Sequence, residues 1–153
     1  MQSVSDRHAI PVLYPVADAF AGTVTSDVVE AQGEGVLFEI TKGVGTTGTS
    51  TITVLSADDT TPSNTTAVTF IYRASTTPDT WGAWTAAAVA GFTTTAGSNQ
   101  MYQIYVDNGQ LAANNYRYVQ LKAVEVADDP VLGGINAYIE NTRFADQPSS
   151  LID

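Results

Sequence analysis

One histidine, no cysteine and sixteen carboxylates leave this 153-residue chain few ways to do chemistry. His8 stands beside Arg7. Without a thiol or a second imidazole, both zinc ligand sets and Ser-His-Asp machinery lack members, so His8 reads as a solvated side chain. Glu30, Glu34, Glu39, Glu125 and Glu140 are scattered, and no spacing selects two of them as the acid and base of a glycosidase. The pairs Asp58-Asp59 and Asp128-Asp129 sit among turn residues. Calcium takes clustered oxygens, but neither pair has the spacing of an EF-hand loop, and aspartate also favours turns by capping local backbone donors. The turn reading is preferred, with calcium at either pair left open. Gly43-Val44-Gly45-Thr46-Thr47-Gly48 matches G-x-G-x-x-G by letter. It precedes a strand rather than a helix, so it lacks a phosphate-binding helix N-terminus and reads as a hairpin loop. Lys42 and Lys122 are read as surface residues of strands, not as isopeptide cross-links. No catalytic residue, metal or cofactor is expected.

Binding chemistry is better represented. Trp81 and Trp84 flank Gly82-Ala83 after the Pro78-Asp79 turn signal. Exposed indoles stack on sugars or anchor protein interfaces, whereas buried ones would plug the end of a sandwich. One ring is assigned to each role, with no basis for choosing between them. Val12, Leu13 and Tyr14, bracketed by Pro11 and Pro15, and Phe20 beyond them are further apolar residues of the N-terminal segment.

The elements that must position these residues read as strands. Charged residues make up 14% of the chain, against about 25% in an average protein, and threonine, serine, alanine and glycine take their place. That composition suits short strands and tight turns. Residues 1–32 read as an N-terminal arm with a first strand near its end, because prolines remove ladder donors and favour an extended arm or an edge strand. From residue 33 the period becomes two. Val36, Phe38 and Ile40 alternate, as do Ile52 with Val54, Val68 with Phe70 and Tyr72, Tyr102 with Ile104 and Val106, and Val119 with Leu121 and Ala123. Turn residues separate these runs, and one helical turn fits around Leu111-Ala112-Ala113. Residues 33–140 therefore form the domain and 141–153 a polar tail. About six or seven strands without an amphipathic helix predict an all-β, antiparallel β-sandwich, immunoglobulin-like or jelly-roll, with an extended N-terminal arm.

Charge narrows the partners. Six basic against sixteen acidic residues give a formal net charge of −10, which repels phosphate backbones, so no nucleic-acid partner is expected. No apolar run approaches the ~18 residues of a membrane span, and Asp6 and Arg7 stand where a signal peptide needs apolar residues. Synthesis in the cytoplasm, without Sec export and without a membrane partner, is expected.

Several stretches carry a resemblance: Lys42-Gly43-Val44-Gly45-Thr46-Thr47-Gly48-Thr49-Ser50-Thr51-Ile52-Thr53-Val54, Tyr72-Arg73, Trp81-Gly82-Ala83-Trp84-Thr85, Tyr118-Val119-Gln120-Leu121-Lys122-Ala123 and Val131-Leu132-Gly133-Gly134. Across residues 24–140 the chain resembles small structural proteins of tailed phages, of the kind encoded beside the major capsid protein. The resemblance implies a head decoration, or cement, protein. Such a protein is a homo-oligomer (dimer or trimer) made in the host cytoplasm, held on the capsid exterior of the virion, with the major capsid protein as its partner. No functional residue transfers from it. Val12, Leu13, Tyr14 and Phe20 are the capsid-contact candidates on this reading, and Trp81 and Trp84 the interface or ligand aromatics. The alternatives are a phage tail or fibre accessory, or a carbohydrate-binding sandwich with the two indoles as its platform; a hydrolase with a hidden carboxylate pair ranks last.

Overall fold

The computed structural model describes residues 7–140 and 151–152. The first six residues of the expected arm, and residues 141–150 and 153 of the expected tail, lie outside that description. The elements are β1 (Arg7–Val16), β2 (Thr23–Thr25), β3 (Val28–Glu30), β4 (Gly35–Lys42), β5 (Thr49–Ala57), β6 (Thr65–Val68), β7 (Phe70–Ser75), β8 (Thr85–Ala87), β9 (Phe92–Thr93), β10 (Gln100–Asp107), the short helix α1 (Asn108–Ala113), β11 (Tyr118–Ala127), β12 (Gly133–Glu140) and β13 (Leu151–Ile152). They build an antiparallel sandwich. One sheet runs β1-β12-β4-β10-β7-β8; the other runs β13-β3-β11-β5-β6, with β2 on β11 and β9 on β5.

Period-two patterning explains which faces meet. Val36, Phe38 and Ile40 of β4 turn inward with Tyr102, Ile104 and Val106 of β10, opposite Ile52 and Val54 of β5 and Val119 and Leu121 of β11. An aromatic cluster fills one region of this core. The Tyr72 and Phe92 rings stack at 3.9 Å, and Phe70 and Tyr102 lie against Phe92. Gly91 makes the turn into β9 at φ +79°, where a β-carbon would overlap the carbonyl oxygen of Ile52. The helical turn begins where the Asp107 side chain accepts from the Gly109 N–H at 2.7 Å, and it buries Leu111.

The N-terminal segment is part of the sandwich. β1 pairs with β12 from Arg7↔Glu140 to Val16↔Gly133, with irregularities after Pro11 and after Leu13. Pro11 continues that ladder opposite Asn136, a position open to proline only if its nitrogen faces the free edge. At Val12 the strand turns toward the second sheet, where its carbonyl accepts from the Asp27 N–H at 2.9 Å. Val12 and Phe20 are consequently core residues, and Gly133 has no side chain where the Phe20 ring lies. Leu151 and Ile152, in the segment read as a polar tail, pair with β3.

Candidate functional site

The exposed face of the six-stranded sheet carries the most organised polar array in the fold. Register places Pro11, Asn136, Glu39, Gln103 and Arg73 in one row across β1, β12, β4, β10 and β7. Gln103 joins three of these strands. Its Nε2 donates to Glu39 Oε2 at 2.9 Å, and its Oε1 accepts from Arg73 Nε and Nη2 at 2.9 and 2.6 Å. Arg73 lies between the two indoles, its Cζ 4.7 Å from each ring centroid. The β7–β8 pairing of Tyr72 with Thr85 puts Trp84 one residue on, beside Arg73, and the Gly82 N–H donates to the Ala74 carbonyl at 2.9 Å. The segment from Trp81 to Trp84 thus runs along β7 and delivers both rings to one guanidinium. Each cation–π contact is worth about 0.5–1 kcal/mol at an exposed site. Trp81 is half-buried and Trp84 is 43% exposed. Neither plugs the sandwich end, so the core role assigned to one of them does not hold. Nothing in the sequence pattern marks Arg73 as the residue that gathers them.

At the opposite edge of this sheet lies an apolar groove of about 260 Å³, lined by Leu13, Pro15, Thr41, Leu132, Gly134 and Asn136 among others. Leu132 in its lining is exposed, and so are large apolar residues next in sequence to lining residues: Tyr14 at 67%, Val44 at 71%, and Val16. Backbone bonds fix its rim, with the Leu132 N–H donating to the Val44 carbonyl at 2.9 Å and the Gly43 N–H to the Leu132 carbonyl at 2.7 Å. Of the four apolar candidates in the N-terminal segment, only Leu13 lines the groove, and Tyr14, next to it in sequence, is exposed. Val12 and Phe20 are 2% and 4% exposed, which withdraws them as contacts: their side chains complete the core.

The acidic turns are occupied by the chain's own donors, Asp58 within its loop and Asp129 from the glycine-rich loop. Asp58 accepts from Ser63 Oγ at 3.0 Å, from Asn64 Nδ2 at 2.9 Å and from the Asn64 N–H at 3.2 Å. Asp129 accepts the Thr46 and Thr47 N–H groups at 3.0 and 2.8 Å. The glycine-rich loop does cradle an anion, and the anion is the chain's own carboxylate. These backbone donors hold Asp129 below the usual aspartate range. No group of three or more potential metal ligands occurs among the described residues.

Lys42 departs from expectation. It is buried rather than on a strand surface, and its Nζ donates to the carbonyls of Gly48 and Thr95 at 3.1 and 2.8 Å. Burial lowers its pKa. Two backbone acceptors without a sequence signature make this ammonium tolerable inside the fold, which is why the spacing of residues does not reveal it. His8 is half-buried on β1, Glu39 is bonded to Gln103, Glu30 pairs with Arg117 at 3.3 Å and Glu125 accepts from the Gly22 N–H at 2.7 Å.

No family model matches the chain, and no curated protein does. Among solved structures, a chain in the structure of the infectious bursal disease virus Gx strain is similar over 95% of this chain at 14% identity, with a TM-score of 0.24. This chain spans 44% of the length of that one, and the likeness is too distant to carry an argument about fold or function.

Proposed function

We propose that the protein is a structural component of a virion that binds the outer surface of a phage capsid and stabilises the shell by bridging its subunits. The observation that carries the reading is the apolar groove at the β1–β12 edge, lined by Leu13, Pro15 and the exposed Leu132 and continued along the chain by exposed Tyr14, Val16 and Val44, on a chain of net charge −10. Apolar side chains gathered at one edge of an acidic surface suit docking against a protein. The sequence resemblance to phage head proteins supplies the identity of the partner. Packaged DNA strains the junctions of a shell, and a protein that binds only the expanded form stabilises it by mass action. A homo-oligomer would present several such grooves to neighbouring capsid subunits.

Deleting the N-terminal segment is a poor test, because β1 is hydrogen-bonded into the sheet and Val12 fills the core. Exposed positions serve better. The wild-type protein is expected to co-sediment with expanded capsids of the virion that carries it and not with procapsids. Tyr14→Asp combined with Leu132→Asp is expected to abolish that co-sedimentation while leaving the circular dichroism spectrum unchanged. Equal binding of wild type and variant would remove the groove from the interface, and absence from purified virions by mass spectrometry would end the reading.

The second reading, a glycan-binding sandwich, has Trp84 in its favour as an exposed ring held rigid by Arg73. Against it, each indole already has a face on the guanidinium.

A further inference from the structure

The sandwiched guanidinium has a use that its own fold does not consume. Arg73 Nε and Nη2 both donate to the single oxygen Gln103 Oε1, so one edge of the planar group is engaged. The Nη1–Nη2 edge carries no hydrogen bond to the described residues. No carboxylate of the described residues pairs with the cation directly, and Glu39 is reached only through the Gln103 amide. In a chain with six basic and sixteen acidic residues, a rigid cation with an open edge is unusual. We infer that Arg73, flanked by Trp81 and Trp84, is a recognition site for the carboxylate of an aspartate or glutamate side chain on a protein partner.

The chemistry follows from the geometry. A carboxylate fits the free edge of a guanidinium through two parallel charge-assisted hydrogen bonds, and lysine offers no such fork. Two indoles against the guanidinium limit the water competing for those bonds, and the Gln103 hydrogen bonds hold the side chain in place, so little side-chain entropy remains to be lost on binding. Tryptophan and arginine are also the residue types in which interface energy concentrates. A protein carboxylate is favoured over an acidic sugar, because both rings already stack on Arg73 and Trp81 is half-buried. Arg73 on β7 is two strand spacings, about 10 Å, from Thr41 on β4 at the near side of the groove, and it shares no lining residue with the groove, so the site stands whether or not the groove binds a capsid.

The chain's two tryptophans are the two rings of this site, so tryptophan emission, excited on the red edge where its seven tyrosines hardly absorb, reports on this site. Titration with an acetylated, amidated tetraglutamate peptide is expected to change the emission saturably, and tetraglutamine is expected to leave it unchanged. Arg73→Lys keeps the charge and removes the fork, and is expected to weaken the response about tenfold, equivalent to about 1.4 kcal/mol. Arg73→Gln is expected to abolish it. Wild-type emission unmoved by tetraglutamate would overturn the inference, as would an equal response in Arg73→Lys. A response to oligogalacturonate without one to the peptide would overturn it in favour of an acidic glycan. Far-UV circular dichroism of each variant keeps loss of binding distinct from loss of fold.

Discussion

Asp58 commits its carboxylate to its own loop, and that sets where its contribution is felt. The Asn64 side chain, then the Asn64 backbone N–H, hold its pKa near 2, against an ordinary value of 3.8. The folded value lies below the unfolded one. The stabilisation is therefore complete above about pH 4 and is lost as pH falls through the folded value. Asp58→Ala is expected to unfold at a lower temperature than wild type at pH 7, with the gap closing between pH 4 and pH 2 in differential scanning calorimetry. A gap independent of pH would assign the loss to packing. The capping role of this residue was legible, because Asp58 through Asn64 is dense in turn formers. The matching role of Asp129 was only half legible. Its turn is evident, but its acceptors' partners, Thr46 and Thr47, are more than eighty residues away. Lys42 was not legible, since the carbonyls that receive it belong to loops that no local pattern brings together.

Strands with one wet face announced themselves through alternation, and β4, β5, β10 and β11 fall where the period of two places them. Short elements did not. The stretch from Ala86 to Thr95 has no period, and it yields β8, a turn and β9 because Gly91 lets Phe92 swing into the aromatic cluster. That glycine tests the claim. Its φ of +79° and the Ile52 carbonyl at the β-carbon position both oppose any side chain. Gly91→Ala is expected to cost on the order of 2 kcal/mol, read as a lower midpoint in urea. An unchanged midpoint would mean that the β8–β9 turn is free to adopt another path. β1 shows a different limit of sequence reading. Pro11 and Pro15 correctly signal an edge, yet prolines say nothing about whether an edge segment docks on its own sheet. Here Ile10, Val12 and Phe20 decide the matter by joining the core, and residues 7–16 of the expected arm form an edge strand of their own domain.

At the scale of the whole molecule, alternation identifies which side of a strand is buried but not which strand lies beside it. The all-β sandwich was therefore legible, while the order β1-β12-β4-β10-β7-β8, and with it the row from Asn136 to Arg73, was not. Net charge is a property that needs no topology. With a formal charge of −10, the surface carboxylates repel one another in the compact state. Two of the cations are directed elsewhere: Lys42 binds carbonyls and Arg73 a neutral amide. The Arg117–Glu30 pair has an exposed guanidinium, where water screens most of the attraction. Salt should thus screen more repulsion than attraction, over a length of about 10 Å at 0.1 M. Raising sodium chloride from low to near-molar concentration at pH 7 is expected to raise the thermal midpoint. A gain of about 1 kcal/mol corresponds to roughly 2–4 °C for a chain of this size. A midpoint that falls with salt would show that attractive pairs outweigh the excess of carboxylates. The same titration on Asp59→Asn, which removes one exposed acidic charge, should start from a higher midpoint and climb less steeply.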